Sequence, residues 1–239
     1  MNCSSTVIEC LESVASQTYL AREHIVIDGC SQDGTLEILE AHKSQLEVLI
    51  SEPDFGIYDA LNKGIVNSNG DVIGFLHSDD LYFSPNILQK VAKIFEDQSI
   101  SAVYGNLDYV QKHDINKVVR SWVSCPYDPK KLSRGWMPPH PTLFVRREWY
   151  DKKKEFEIHY KISADYDSIL RLFMNKDFKA IYIPEVLVKM RMGGVSNRSL
   201  LTIATKSYED YTIMQKLKIG GLRTLFYKNI SKLVQFFQI

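Results

Sequence analysis

Short apolar runs alternate with helical spacings through the first half of the chain. Thr6-x-x-Glu9 reads as a capping box, and Ile8, Leu11 and Val14 follow at helical spacing. An extended run, Ile25–Ile27, ends at Asp28-Gly29; a helix over Leu36–Ala41 and a second run, Val48–Ile50, come next. Tyr58, Leu61 and Ile65 mark a further helix, and Val72–Leu76 is nearly all apolar, as a strand covered on both faces should be. Ser84-Pro85 reads as N-cap plus first helical residue, ahead of Ile87, Leu88, Val91, Ile94 and Phe95 on one side. Ala102–Val110 returns to strand. Such alternation predicts βαβ units, hence an α/β fold with a mainly parallel sheet.

The second half is less regular. Trp136–Pro141 is a proline-rich loop, and Ile162, Tyr166, Ile169 and Phe173 mark a helix capped near Ser163. Phe178–Met190 is extended apart from Pro184, Gly193-Gly194 breaks it, and two helices close the chain. No repeat or low-complexity linker divides the sequence. The expected organisation is a domain over residues 1–198 and a helical appendage over 199–239.

Composition narrows the class. Of 239 residues, 45% are hydrophobic and 24% charged, which excludes a disordered tail, a collagen-like fibre and a disulfide-stapled miniprotein. Lys+Arg and Asp+Glu both number 29, so no overall field recruits nucleic acid. The balance hides an asymmetry. Residues 211–239 hold Lys216, Lys218, Arg223, Lys228 and Lys232 and no acid, interleaved with Leu222, Leu225, Phe226, Leu233, Phe236 and Phe237. Such a segment either lies in a membrane interface or packs on the domain with a solvated basic side. Cys3, Cys10, Cys30 and Cys125 form no CxxC pair and read as free thiols of a reducing compartment. No signal peptide opens the chain and no apolar run reaches ~18 residues. The expected location is cytoplasmic, including the cytoplasmic face of the cell membrane.

In open α/β sheets, ligands bind at the carboxyl ends of strands. Three strands end in acids: Asp28, then Glu52 and Asp54, then Asp79-Asp80. Adjacent carboxylates repel each other unless a cation or donor compensates, and hard oxygen ligands suit Mg²⁺ or Mn²⁺. A solvated turn is the competing reading. Asp28–Thr35 is a glycine-containing turn but neither GxGxxG nor a P-loop, which excludes the usual dinucleotide and kinase readings. Asp165 and Asp167 open a helix, where the macrodipole favours acids and keeps a carboxylate ionised for base chemistry. His140 reads as a pocket donor or a packed loop histidine; the other five histidines share no metal-like spacing.

In this order the motifs resemble inverting glycosyltransferases of family 2, with the GT-A fold, and most of all bacterial colanic-acid and O-antigen types. The matching stretches are CLESVASQTY from Cys10, HIVIDGCSQDGT from His24, SEPDFGIYDALNKG from Ser51 and GDVIGFLHSDD from Gly70. PHPTLF from Pro139, ISADYD from Ile162 and RMGGVSN from Arg191 complete the set. The resemblance implies a Rossmann-like sheet flanked by helices. It implies that Asp28 contacts the base of a nucleotide sugar, most often uridine, that Asp79 lies near the ribose, and that Asp80 binds a divalent metal, Mn²⁺ or Mg²⁺. Asn62 and Lys63 would line the nucleotide side, His140 and Arg191 the acceptor side, with Arg191 and Gly193-Gly194 in a mobile loop. Asp165 matches the catalytic base. The implied partners are a nucleotide-sugar donor, a lipid-linked saccharide acceptor and a membrane surface met through residues 211–239. The implied process is cell-surface polysaccharide biosynthesis, with no nucleic acid.

Two departures stand out. Ser78 occupies the position of the first DXD carboxylate, which leaves metal binding to Asp80 and the phosphates. Family members also begin with an apolar strand in the middle of the sheet, whereas here Asn2–Ser5 already occupies the turn that follows it. The expectations are a start lying upstream, or a degenerate nucleotide-sugar binder without turnover. A nucleotidyltransferase is disfavoured, because no glycine-rich N-terminal phosphate loop with Arg or Lys is present.

Overall fold

The periodicities resolve into nine helices and eight strands in the computed structural model, which describes residues 1–151, 155–193 and 200–234. In chain order these are α1 (Val7–Ala15), β1 (Ile25–Asp28), α2 (Thr35–Ala41), β2 (Val48–Ser51), α3 (Ile57–Val66) and β3 (Val72–Gly74). Next come β4 (Leu81–Tyr82), α4 (Ile87–Phe95), β5 (Ala102–Gln111), β6 (Asp114–Trp122), α5 (Pro129–Leu132) and β7 (Phe144–Arg146). The last are α6 (Glu148–Asp151), α7 (Ala164–Phe173), β8 (Ala180–Arg191), α8 (Leu200–Lys216) and α9 (Leu222–Val234).

The α/β architecture follows the sequence pattern. β1 and β2 pair in parallel, Ile25 opposite Val48, as a two-stranded sheet. The second sheet runs β3-β7-β5-β8-β4, with β6 joined to β5. Its longest pairing, β5 with β8, is parallel, and antiparallel strands flank it. The β5–β8 register shifts around Asn106, opposite the stretch where Pro184 lacks an amide to donate. Among the described residues, β1 and β3 each have one partner strand.

Most helices bury the face their spacing marked, but α1 turns Ile8 (40% exposed) outward and buries Val7, Cys10, Leu11 and Val14. α4 turns Ile87, Val91 and Phe95 against Val103, Leu107 and Leu187. α7 is covered on nearly every side, so Ala164, Tyr166, Ile169, Leu170, Leu172 and Phe173 all enter the main core. α8 joins that core through Ile213 and Met214.

Three local expectations change. The Thr6 hydroxyl caps no helical amide and donates instead to the Cys3 and Ser78 carbonyls, while Glu9 pairs with Arg191. α4 starts at Ile87 rather than at Pro85, because Gln17 accepts from the Leu88 amide and donates to the Ser84 carbonyl, holding 84–86 as a turn. α9 is not an ordinary basic helix. Thr224 and Lys228 face inward, whereas Leu222 (72% exposed), Phe226 (62%) and Ile230 (41%) form an outer stripe. Leu233, Phe236 and Phe237 have side chains outside the described residues.

Candidate active site

β1 delivers Asp28 into a turn built around its carboxylate. Asp28 accepts from the Ser31 amide at 2.9 Å, from the Ser31 hydroxyl, and from the Ser51 hydroxyl at 2.8 Å. Burial pushes its pKa up, but these donors outweigh it and leave the carboxyl below its usual range. Gly29 brings the Asp54 carboxylate close beside it: a Cβ there would lie 2.2 Å from Asp54 Oδ2 and displace that side chain. The N-terminal segment bridges this turn to the end of β3. The Asn2 amide donates to Ser31 Oγ, the Cys3 amide to Thr35 Oγ1, and the Ser78 hydroxyl to Cys3 Sγ at 2.9 Å.

After β3 the chain presents His77, Ser78, Asp79 and Asp80. Asp79 is half-buried, whereas Asp80 is 0% exposed and neither of its carboxylate oxygens has a hydrogen-bond partner. Burial, then the charge of Asp79, raises the Asp80 pKa well above the carboxylate range, with Arg191 acting the other way. Two orphaned hard oxygens beside a second carboxylate fit a divalent cation such as Mn²⁺ or Mg²⁺. Among the described residues no set of three or more His, Cys, Asp or Glu side chains is arranged to hold one, so phosphate oxygens would have to complete the shell. Arg191 straps this turn in place. Its guanidinium donates to the Asp79 carbonyl at 2.9 Å, to Glu9 at 2.6 Å and to the Lys112 carbonyl at 3.1 Å. Gly194 and Asn197, from the same expected loop, lie outside the described residues.

The N-terminus of α7 supplies Asp165. Its Oδ1 accepts from the Tyr166 amide at 2.8 Å and lies 3.3 Å from the Tyr58 hydroxyl, and the residue is half-buried. Asp167, two residues on, is fully buried and spent on Arg171 at 2.7 Å. Two acids in one helical turn thus part into an available carboxylate and a paired one.

His140 is buried, with Asp165 and His77 as its titratable neighbours. Its ring stacks on Phe75 (centroids 5.6 Å apart), meets Phe156 edge-on, and leaves Nε2 without a partner. Burial lowers its pKa to about 4, so the ring is uncharged at neutral pH. The sequence pattern singled out no role for His77, yet its ring faces His140 at 6.5 Å. Burial pushes the His77 pKa down, against opposing pulls from both Asp79 and Asp165. Its place just after a buried strand, beside two acids, was the available signal.

The structure therefore gathers Asp79, Asp80, His77, His140 and Asp165 into one neighbourhood, with Asp28 joined through residues 2–6. Asn62 and Lys63 act at its border. Asn62 grips the Phe156 backbone at both ends, donating at 2.8 Å and accepting at 2.9 Å, and so seats the ring that packs on His140 and Tyr58. Lys63 ties α3 to the loop after β2 through Glu52 at 2.8 Å and the Pro53 carbonyl at 3.0 Å. Among the described residues no helix is long and apolar enough to cross a membrane.

Comparison with known proteins identifies the family and the fold. The sequence profile described as Glycosyl transferase family 2 matches residues 1–180. A PGL/p-HBAD biosynthesis glycosyltransferase of Mycobacterium bovis (strain BCG / Pasteur 1173P2) is 28% identical over 217 residues, covering 87% of this chain and 79% of the relative. The crystal structure of S. aureus TarS 1-349 in complex with UDP superposes with a TM-score of 0.67 at 17% identity, covering 90% of this chain and 61% of that one. The mannosyltransferase PcManGT from Pyrobaculum calidifontis, in complex with GDP-Man and Mn²⁺, gives 0.64 at 18% identity, covering 98% and 70%. At these identities the two structures establish the GT-A fold. The chain spans under two thirds of the TarS chain.

Proposed function

The chain belongs to glycosyl transferase family 2, and from that premise we propose that it transfers a hexosyl group from a UDP-sugar to a hydroxyl of a lipid-linked saccharide, with inversion. The observation that carries this reading is the half-buried Asp165 at the start of α7, which acts on the same His77 as Asp79 does, while its neighbour Asp167 is consumed by Arg171.

Asp165 accepts the proton of the acceptor hydroxyl as that oxygen attacks the anomeric carbon from the face opposite the leaving nucleotide. A carboxylate is a weak base toward an alcohol, so proton transfer accompanies bond formation, when the hydroxyl turns far more acidic. His140, uncharged at neutral pH, offers a neutral imidazole on the acceptor side. Asp28 meets the nucleobase and Asp79 the ribose. Asn62 and Lys63 brace the nucleotide side, and Arg191 holds the Asp79 turn against α1. A divalent cation held by Asp80 would supply positive charge to the departing diphosphate.

The outer stripe of α9, flanked by exposed Arg223 and Lys218, supports docking to an anionic membrane face, where a lipid-linked acceptor resides.

The test is a panel of nucleotide sugars with Mn²⁺, reading nucleotide release with and without lipid-diphosphate acceptors. Asp165→Asn is expected to lower turnover by ~10²–10⁴-fold while nucleotide affinity is retained. Intact turnover in Asp165→Asn would remove the base assignment. A wild type that binds nucleotide sugar and releases nothing with any acceptor would replace transfer by binding alone.

A further inference from the structure

Asp165 occupies the second position of a helix whose own sequence does not cap it. Ser163, the N-cap residue, makes no side-chain capping bond, and its buried hydroxyl has no partner. The third helical position is Tyr166, where a capping box would place the Glu or Gln that reaches back to the N-cap amide. That acceptor arrives from elsewhere. Glu209, on α8 and 8% exposed, accepts the Lys161 amide at 2.8 Å, the Ile162 amide at 3.0 Å and the Ser163 amide at 2.9 Å.

Glu209 works within a wider clamp. The Tyr58 hydroxyl donates to the Ile162 carbonyl on the same segment. Asp210, adjacent to Glu209, pairs at 2.9 Å with Lys228 of α9, and both side chains are buried. The Lys228 ammonium sits 3.0 Å from the centroid of the Tyr166 ring. Residues on both sides of Asp165 are thus held by side chains from α8 and α9, beyond the 1–180 span of the family match.

We infer that Glu209 is a positioning residue for Asp165: its carboxylate fixes the 161–163 backbone so that the base meets the acceptor hydroxyl in one geometry. Three charge-assisted bonds to consecutive amides hold a segment far more firmly than one neutral acceptor would. Small displacements of a catalytic group carry large rate penalties. This inference rests on the proposed role of Asp165.

The experiment compares Glu209→Gln, Glu209→Asp, Asp165→Asn and the surface control Glu185→Gln in the full chain. The donor is the one giving the fastest nucleotide release in the panel above, and amide hydrogen exchange over 161–168 is measured in parallel. Glu209→Gln is expected to lower kcat at least ~10-fold with donor KM within ~threefold, because substrate binding is untouched while transition-state geometry is lost. Its 161–163 amides should exchange at least ~10-fold faster with β5 unchanged, as expected for a local rather than global opening. Glu209→Asp, which keeps the charge and shortens the reach, should fall between it and wild type, and it carries the test if the Gln variant does not fold. Glu185→Gln should leave kcat unchanged. A Glu209→Gln kcat within twofold of wild type, unchanged exchange at 161–163, or kcat and KM changing in step would overturn the inference while Asp165→Asn stays inactive. An active Asp165→Asn would overturn this inference together with the base assignment on which it rests.

Discussion

His140 makes the stability of this protein acid-sensitive by an amount the structure sets. Its ring lies against Phe75 and Phe156, with His77 and Asp165 as the neighbouring titratable groups. Burial lowers its pKa from 6.5 to about 4; Asp165 opposes that shift and His77 adds to it. The folded pKa is depressed, so the unfolded chain binds more protons between these values. The contribution to stability is complete above pH 6.5 and is lost as pH falls toward 4. The displacement from 6.5 to about 4 corresponds to roughly 3 kcal/mol in all, and about 2 kcal/mol of it disappears between pH 7 and pH 5. His140→Phe preserves the ring contacts and removes the titration, and any packing change it introduces is independent of pH. Urea unfolding at pH 7 and pH 5 should therefore show wild type losing about 2 kcal/mol more than the variant. Equal losses in the two proteins would refute the buried, uncharged state of His140.

Three further outcomes follow from the same geometry. Asp167→Asn leaves the Arg171 guanidinium without its buried anion and should lower stability by about 3 kcal/mol in denaturant melts. Gly105→Ala places a Cβ 2.5 Å from Leu187 Cγ and 2.9 Å from the Glu185 carbonyl, between the longest paired strands. It should cost ~1–3 kcal/mol and lower the thermal midpoint. Replacing Leu222, Phe226 and Ile230 together by Ser removes the outer stripe of α9 without touching Thr224 or Lys228. Flotation with vesicles containing anionic lipid should fall at least ~10-fold while the thermal midpoint holds, since these side chains face solvent in the folded chain. Unchanged flotation would remove the membrane role.

The elements with clear periodicity were legible in the chain itself. Ile25–Ile27, Val48–Ile50 and Ala102–Val110 all become strands, and the apolar spacings over 57–66, 87–95 and 164–173 become helices, because burial of one face is a local pattern. β6 was not legible: Asp-Ile-Asn-Lys-Val-Val-Arg-Ser-Trp is half polar, and only its pairing with β5 makes it a strand. The acids at strand ends were visible too, as was the pairing of Asp165 with a helix start. Which carboxylate is sealed, which is paired and which stays half-open was not visible, since Asp80, Asp167 and Asp165 differ only in what the rest of the molecule places around them.

Periodicity and turn chemistry act over a few residues, so the sequence alone determined the order of elements and the motifs that mark the family. Tertiary structure decided the partners. Glu209 reaches the segment before α7 across 46–48 residues, Gln17 caps α4 across 71, and Arg191 meets Glu9 across 182. It also turned Lys228 inward and Phe226 outward on a helix whose composition suggested the reverse. Hydrogen bonds and desolvation depend on which atoms are adjacent in space, and adjacency at such separations exists only once the chain has folded.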